Sequence, residues 1–336
     1  MDFPPPLFLS ALFHKFACVR AALAVRVGML PTNLSLVRVK HPMNRRNVLK
    51  SVLLGVSALT LRPSFATASV RERDSTMRLA ELERQYGGRL GVAIQDTGSL
   101  RRVLYRADER FMMCSTFKLL LVGATLARVD RGAERLDRRV VFGREALVSF
   151  APITGSHVGV PGMTVAELCQ AAVTVSDGVA ANLLLRRLGG PSALTAYARG
   201  LGDAHTRLDR YEPEMNRPAP DHVSDTTTPL AMLHDLRSLV LGDELSDASR
   251  RLLVGWLREA STGLDLLRAG IPAGWHVGDK TGHGNGATND VAIIWPPQRK
   301  PLLISTYYRA LTTDDDTRPA ALFADVGRIA VAMLSS

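Results

Sequence analysis

The sequence predicts an α+β fold, with an antiparallel sheet flanked by the terminal helices and joined to an all-α domain. Three observations predict it. Strand-like segments occur near both ends of the chain, segments of helical periodicity fill the middle, and an amphipathic helix stands outside each group of strands. We expect residues 69–110 and 262–336 to form the α/β domain and residues 111–261 the all-α domain.

The N-terminal strands follow a helix. "STMRLAELERQYG" has helical spacing and ends at Gly87–Gly88. "RLGVAIQDTG" and "LRRVLYRAD" then alternate like the two strands of a hairpin, with Asp96-Thr97-Gly98-Ser99 as the turn. This pattern predicts one edge of the sheet.

The middle of the chain is predicted to be helical. In "MMCSTFKLLL" a buried helix is expected to continue to about Val129, and one interpretation of Ser115 is that its hydroxyl caps this helix. "TVAELCQAAVTVS" and "GVAANLLLRRLG" give two further helices, and Gly189-Gly190-Pro191 ends the second.

Strands return near the C-terminus. "GWHVGDKTGHG", "NDVAIIWPP" and "PLLISTYYRA" are rich in β-branched and aromatic residues, and "RPAALFADVGRIAVAMLS" is a final helix. The first of these strands is expected at the edge of the sheet, with Lys280 near its end.

The net charge of +10 is concentrated at the N-terminus. Residues 1–68 hold nine of the 42 Lys and Arg residues and one of the 32 Asp and Glu residues. The remainder is close to neutral, which argues against nucleic acid as a partner.

The same segment is typical of a twin-arginine export signal. Arg45–Arg46 precedes an apolar stretch from Ser51 to Leu61, and Ala66-Thr67-Ala68 forms a small-x-small cleavage pattern. The apolar stretch is too short for a stable membrane anchor. We expect residues 1–68 to be removed and the mature protein to be periplasmic or secreted, with Met1 and Met43 both open as the start. A buried helix is the alternative interpretation.

Ser115 and Lys118 are three residues apart, so a helix places them on one face. Burying a lysine is costly unless something compensates it. A structural role for the pair is one interpretation. The other is that the amine serves as a base that makes Ser115 a nucleophile. Cys114 is a rival nucleophile, but no Cys/His pairing lies nearby, so we expect Cys114 and Cys169 to be buried free thiols.

Three further motifs carry polar groups. Ser176-Asp177-Gly178 lies between two helices, Glu212 and Asn216 lie in the proline-rich loop "TRLDRYEPEMNRPAPDHVSDTTTP", and Lys280-Thr281-Gly282 precedes a Gly-rich turn. Together with Ser115-x-x-Lys118, and in this order, they resemble the class A serine β-lactamases. The resemblance extends through "GGPSALTAYARGLGD" and "AGWHVGDKTG" and covers essentially all of residues 72–336.

The resemblance implies an acyl-enzyme mechanism without a metal or other cofactor, at an active site between the sheet and the all-α domain. Ser115 would attack the lactam, Lys118 would take or relay its proton, and Glu212 with Asn216 would hold the deacylating water. Whether Lys118 or Glu212 is the acylation base stays open. Ser176 would pass a proton to the lactam nitrogen.

The resemblance also assigns the substrate contacts. Lys280 and Thr281 would bind the substrate carboxylate, and the backbone N–H groups of Ser115 and His283 would hold the oxyanion. Phe150 would stand at the pocket mouth. The resemblance assigns support of the Glu212 loop to an Arg210–Asp225 pair, to Asn182 and to a cis Glu212–Pro213 bond.

The sequence departs from the family at three places. Gly178 replaces an asparagine that would bind the substrate's acylamide side chain, and Asn289 replaces an arginine that often supports Lys280. Arg268 or Arg318 is a candidate replacement for that charge. Cys114 matches a position that is disulfide-bonded in some relatives, but its partner position is Gly284.

The expected partner is a small β-lactam, and the protein is expected to be a monomer. The alternative functions are a penicillin-binding D,D-peptidase and a penicillin-sensing domain that stays acylated. Both lack a base like Glu212, so the lifetime of the acyl-enzyme distinguishes them from a hydrolase.

Overall fold

The computed structural model describes residues 64–312 and 319–334. The twin arginine, the apolar stretch and Arg318 therefore lie outside the described residues. Within this part of the chain, no helix is both long and apolar enough to cross a membrane.

The mixed α and β fold predicted from the sequence is confirmed. The helices are α1 Ser64–Tyr86, α2 Phe117–Asp130, α3 Val165–Thr174, α4 Gly178–Leu188, α5 Pro191–Gly200, α6 Pro229–Leu241, α7 Asp247–Glu259 and α8 Ala320–Ala332. The strands are β1 Arg89–Asp96, β2 Arg102–Tyr105, β3 Phe111–Met112, β4 Arg139–Val140, β5 Met163–Thr164, β6 Thr226–Thr227, β7 His276–Gly284, β8 Ala287–Trp295 and β9 Leu302–Arg309.

Five of these strands form one antiparallel sheet in the order β2-β1-β9-β8-β7. The hairpin of β1 and β2 is present, and Asp96 stabilises its turn by accepting hydrogen bonds from the Gly98 N–H and the Ser99 hydroxyl. β7 is at the edge of this sheet, as expected. The strand that carries Lys280 therefore pairs with β8 on one side and with no strand of the sheet on the other.

Both faces of strands β1, β8 and β9 are buried. On β1, Val92 and Ile94 pack with α1 and α8, whereas Ala93 faces the core formed by the helices of the middle region. Successive strand residues point to opposite faces, so a sheet covered on both sides needs nearly continuous apolar strands. That is why "VAIIW" and "LLISTYY" show little polar alternation.

Two features of the middle region differ from the sequence prediction. The pairs β3–β6 and β4–β5 were not expected, because strands of two residues leave no periodic signal. The predicted capping role of Ser115 is wrong: Cys114–Thr116 is a 3₁₀ turn ahead of α2, without a side-chain cap. The Ser115 hydroxyl instead faces other side chains.

Candidate active site

Ser115 lies in the 3₁₀ turn at the start of α2, where the chain passes the end of β7. Asn289 on β8 fixes this turn, because its amide donates to the carbonyl oxygens of Met112 and Met113 at 2.9 and 3.0 Å. Asn289, which stands where the family often has an arginine, therefore holds the backbone just before Ser115.

Lys118 lies one turn beyond Ser115 and is fully buried. Its Nζ donates to the Ser115 Oγ at 2.9 Å and to the Ser176 carbonyl oxygen at 2.6 Å. It also lies 2.7 Å from the Glu212 Oε1. The buried ammonium is thus compensated by a carboxylate and a carbonyl, and it touches the hydroxyl that it would activate.

Glu212 reaches the same place from the loop between α5 and β6. Its Oε1 is 3.3 Å from the Ser115 Oγ, although the two residues are 97 positions apart in the chain. Burial raises the pKa of this carboxyl. The charge and hydrogen bond of Lys118, together with Asn216 and Lys280, lower it by more than burial raises it, so the pKa lies below its usual value. Glu212 is therefore ionised at neutral pH.

Two asparagines hold Glu212. The Asn182 side chain on α4 accepts from the Glu212 N–H at 3.0 Å and donates to its carbonyl oxygen at 2.8 Å. The Asn216 Nδ2 donates to the Glu212 Oε2 at 3.1 Å. The buried Asn216 Oδ1 accepts no hydrogen bond from the described residues. The Glu212–Pro213 bond is cis.

Ser176 and Lys280 complete the polar cluster. The Lys280 Nζ donates to the Ser176 Oγ at 3.0 Å, and the Lys118 Nζ lies 3.3 Å from the same oxygen. Burial and the nearby charge of Lys118 lower the pKa of Lys280 to about 7. Asp177 orients this corner: its carboxylate caps α4 at the Ala180 N–H and binds the backbone N–H of Thr154.

The close approach of β7 to the serine turn requires a glycine. A Cβ added at Gly282 would lie 2.7 Å from the Met113 carbonyl oxygen and 3.1 Å from the Ser115 nitrogen. Any side chain there would push β7 away from the Ser115 N–H. This contact places the two backbone donors predicted for an oxyanion, at Ser115 and His283, on facing segments.

The outer end of β7 holds the remaining predicted contacts. The Thr281 hydroxyl lies 2.6 Å from the hydroxyl of Thr262, a residue that the sequence analysis missed. His283 is exposed, with its Nδ1 3.2 Å from the Thr288 Oγ1. Thr262 precedes the strand in a stretch with no motif, so no sequence signal marks it.

Phe150 and Gly178 face each other at the entrance. Phe150 is 53% exposed, and its carbonyl oxygen accepts from the Gly178 N–H at 2.9 Å. It is therefore not a core aromatic. A Cβ at Gly178 would lie 3.1 Å from that carbonyl oxygen and 3.4 Å from the Glu212 Oε2, so position 178 borders both the entrance and the carboxylate.

Arg268 does not supply the charge lost at Asn289. It forms an ion pair with the fully buried Asp279 and donates to the Leu257 carbonyl oxygen. Asp279 precedes Lys280 in β7, and adjacent strand residues point to opposite faces. Arg268 is thus committed to the side of the strand away from Lys280.

Cys114 and Cys169 are buried free thiols, as expected. Burial, reinforced by the negative charge of Glu212, raises the pKa of Cys114 to about 12. A protonated, buried thiol is a poor nucleophile, so Cys114 is not a rival to Ser115. Its Sγ lies 4.0 Å from the Gly284 carbonyl oxygen.

An ion pair braces the Glu212 loop. The Arg210 Nε lies 2.6 Å from the Asp225 Oδ2, and the Arg210 Nη2 donates to the Arg217 carbonyl oxygen at 2.6 Å. Asp225 is fully buried and also accepts from the backbone N–H groups of Asp209 and Arg210. Removing one partner would leave a buried charge uncompensated.

We expect Arg210→Ala to slow deacylation more than acylation. The substitution frees the loop that carries Glu212, whereas Ser115 lies in the 3₁₀ turn before α2 and Lys118 lies on α2. Rapid-quench mass spectrometry of the two steps measures this. Equal slowing of both steps would contradict the assignment. Arg207→Ala is a control, because Arg207 pairs with Asp209 at the surface.

The site defines a class of protein: a serine hydrolase with a lysine beside its nucleophile and a carboxylate opposite. The comparisons agree. The model of the Beta-lactamase enzyme family matches residues 74–334. A β-lactamase of Streptomyces albus G is 44% identical over 309 residues, which is 86% of this chain and 98% of that protein.

Two further relatives give the same result. β-Lactamase CTX-M-8 of Citrobacter amalonaticus is 44% identical, covering 79% of this chain and 91% of that protein. The solved structure of an ancestral class A β-lactamase is 59% identical with a TM-score of 0.74, covering 77% of this chain and 99% of that one. The chain belongs to the class A β-lactamase family.

Proposed function

We propose that the protein hydrolyses the amide bond of penicillin- and cephalosporin-type β-lactams through an ester on Ser115. The observation that carries this proposal is the contact of the Ser115 Oγ with both the Lys118 Nζ, at 2.9 Å, and the Glu212 Oε1, at 3.3 Å. Lys118 can activate the hydroxyl, and Glu212 is placed to activate a water against the ester that forms.

Acylation begins when Ser115 attacks the lactam carbonyl and its proton passes to a base. Lys118 contacts the hydroxyl at 2.9 Å and Glu212 at 2.7 Å. A neutral amine can take the serine proton directly, whereas an ammonium can relay it only by giving one of its own protons to Glu212. The Ser115 N–H and the His283 N–H would hold the oxyanion. The ring nitrogen then leaves with a proton from Ser176, whose hydroxyl contacts both Lys118 and Lys280.

Deacylation needs a water beside the ester and a base to deprotonate it. Glu212 is ionised and adjacent to the Ser115 oxygen, and the Oδ1 of Asn216 accepts no hydrogen bond from the part of the chain that the structure describes. These two groups can hold one water between them. This pair favours a hydrolase over a D,D-peptidase or a sensing domain that stays acylated.

Substrate recognition would rest on Lys280 and Thr281 for the carboxylate and on Phe150 at the pocket mouth. Since Gly178 has no side-chain amide, it cannot make the hydrogen bond that an asparagine there would give to an acylamide side chain. A direct test is hydrolysis of a chromogenic cephalosporin and a small β-lactam panel by residues 69–336. A wild-type acyl-enzyme that persists for hours would refute hydrolysis.

The pH dependence should follow Glu212 and Lys280. Deacylation needs ionised Glu212, whose pKa Lys118 holds below its usual value, so kcat should be retained on the acid side until the pH falls below the usual glutamic acid range. Lys280 loses its proton as pH rises through about 7, which weakens its attraction for the substrate carboxylate, so kcat/KM should fall above about pH 7. In Lys280→Arg that alkaline fall should disappear, because a guanidinium stays charged. An unchanged profile would contradict this role.

We further propose that residues 1–68 are a leader removed on twin-arginine export, and that the mature enzyme is a periplasmic or secreted monomer. The motif at Arg45–Arg46 and the small residues at 66–68 support this. The proposed domains remain 69–110 with 262–336, and 111–261. The intact mass of the exported protein tests the leader, and a species that retains Arg45 would contradict it.

A further inference from the structure

The turn between β7 and β8 is attached to the loop that carries Glu212. In this turn, the Asn285 Nδ2 donates to the Asn216 carbonyl oxygen at 2.7 Å. The side chain of Asn216 in turn donates to the Glu212 Oε2 at 3.1 Å. The backbone of Asn216, whose side chain positions Glu212, is therefore held by Asn285, a residue outside the Glu212 loop.

Arg309 holds that turn. It is the last residue of β9 and pairs in register with Ala287, beside the turn. Its Nη1 donates to the carbonyl oxygen of Asn285, and the same nitrogen contacts the Met112 Sδ at 3.8 Å. Among the described residues no carboxylate forms an ion pair with Arg309. Its guanidinium instead contacts a backbone carbonyl oxygen and a sulfur next to the serine turn.

The turn needs such support because of its backbone. Asn285 has a φ of 50°, in the left-handed region that most residues avoid. Asparagine tolerates this conformation, and a charged donor on its carbonyl strengthens it. Within the described residues no disulfide ties this turn to Cys114, which is a free thiol. Its attachment depends on hydrogen bonds.

We propose that Arg309 is a positioning residue for deacylation, which acts through Asn285 to fix Asn216 and thereby the water that Glu212 deprotonates. This inference rests on the function proposed above. Arg309 lies behind the serine turn and touches neither Ser115 nor Lys118 in the structure. Its loss should affect the hydrolytic step and leave the attack of the serine intact.

The kinetic signature differs from that of a merely structural residue. Slower deacylation lowers kcat and KM together and leaves kcat/KM unchanged, because kcat/KM reports steps up to acylation. Partial unfolding lowers kcat and kcat/KM equally and leaves KM unchanged. For Arg309→Met we expect decay of the acyl-enzyme to slow about fivefold, the effect of one lost hydrogen bond.

The experiment compares Arg309→Met, Asn285→Gly and the double variant, with Arg89→Met as control. Glycine removes the amide without straining a positive φ. Arg89 is a neighbouring arginine that pairs with Glu109. Acylation and acyl-enzyme decay are measured by rapid-quench mass spectrometry with a chromogenic cephalosporin. Each single variant should slow decay to a similar extent, and the double variant should slow it no further, because both remove one chain of contacts.

Arg309→Lys should restore decay to within about twofold of wild type, since lysine keeps a charged donor. Additive effects in the double variant, a fall in kcat/KM matching that in kcat, or unchanged decay in Arg309→Met would each overturn the proposal. The wild-type protein separates the two hypotheses. If it forms no ester on Ser115, the proposed function fails; if it turns over normally and Arg309→Met does too, this inference alone fails.

Discussion

Glu212→Ala should stop turnover at the ester on Ser115. The carboxylate is the group placed to deprotonate a water beside that ester, and general-base catalysis contributes about 10²–10⁴-fold. The variant should therefore lose at least about a hundredfold in kcat. Ser115 and Lys118 keep their contact, so attack on the lactam continues. Mass spectrometry should show one β-lactam covalently added to the protein.

A matched control lies in the same loop. Glu214 is two residues away but exposed, so Glu214→Ala removes a carboxylate without touching the cluster. It should turn over normally and accumulate no adduct. Ser115→Ala should form no adduct at all. Turnover by Glu212→Ala at a rate near that of wild type would rule out hydrolysis by this route.

Lys118→Met should block the step before the ester. Methionine matches the length of the buried side chain but cannot accept or relay the serine proton. We expect kcat/KM to fall about 10²–10⁴-fold, the range of general-base catalysis, with little adduct at early times. Lys300→Met is the control, since Lys300 is exposed. Stopped-flow kinetics of substrate loss measure the change.

This pair of variants also decides which group is the acylation base. If Lys118 is the base, Lys118→Met fails to acylate and Glu212→Ala acylates fast but does not deacylate. If Glu212 acts instead, through a water, Glu212→Ala will acylate slowly too. Acylation of Lys118→Met at the wild-type rate would contradict the role assigned to Lys118.

Much of the fold is determined locally, and the sequence predicted it. The strands β8 and β9 are marked by nearly continuous apolar and β-branched residues, because a sheet covered on both faces buries the side chains on both sides of these strands. Helix α4 is bounded by Asp177 and by Gly189, whose φ of 114° is favourable for glycine. These signals depend on residues that are neighbours in the chain, so they can be read from a single sequence.

The order of the four motifs, beginning with Ser115-x-x-Lys118, also indicated the family and its chemistry from the sequence alone. Pairs separated by three or four residues are set by helix geometry. The contact of Lys118 with Ser115 was therefore predictable.

The three-dimensional structure decided the rest, because it depends on residues far apart in the chain. Glu212 meets Ser115 across 97 positions, and Lys280 meets Ser176 across 104. The sequence suggested Arg268 as a charge for the substrate site, but in the structure Arg268 forms an ion pair with the buried Asp279. The contact of Arg309 with Asn285 has no local signal either, since strand pairing alone brings the end of β9 beside that turn. Local sequence fixes secondary structure through hydrogen bonds and periodicity, whereas the partner of a charged side chain is fixed by the packing that surrounds it.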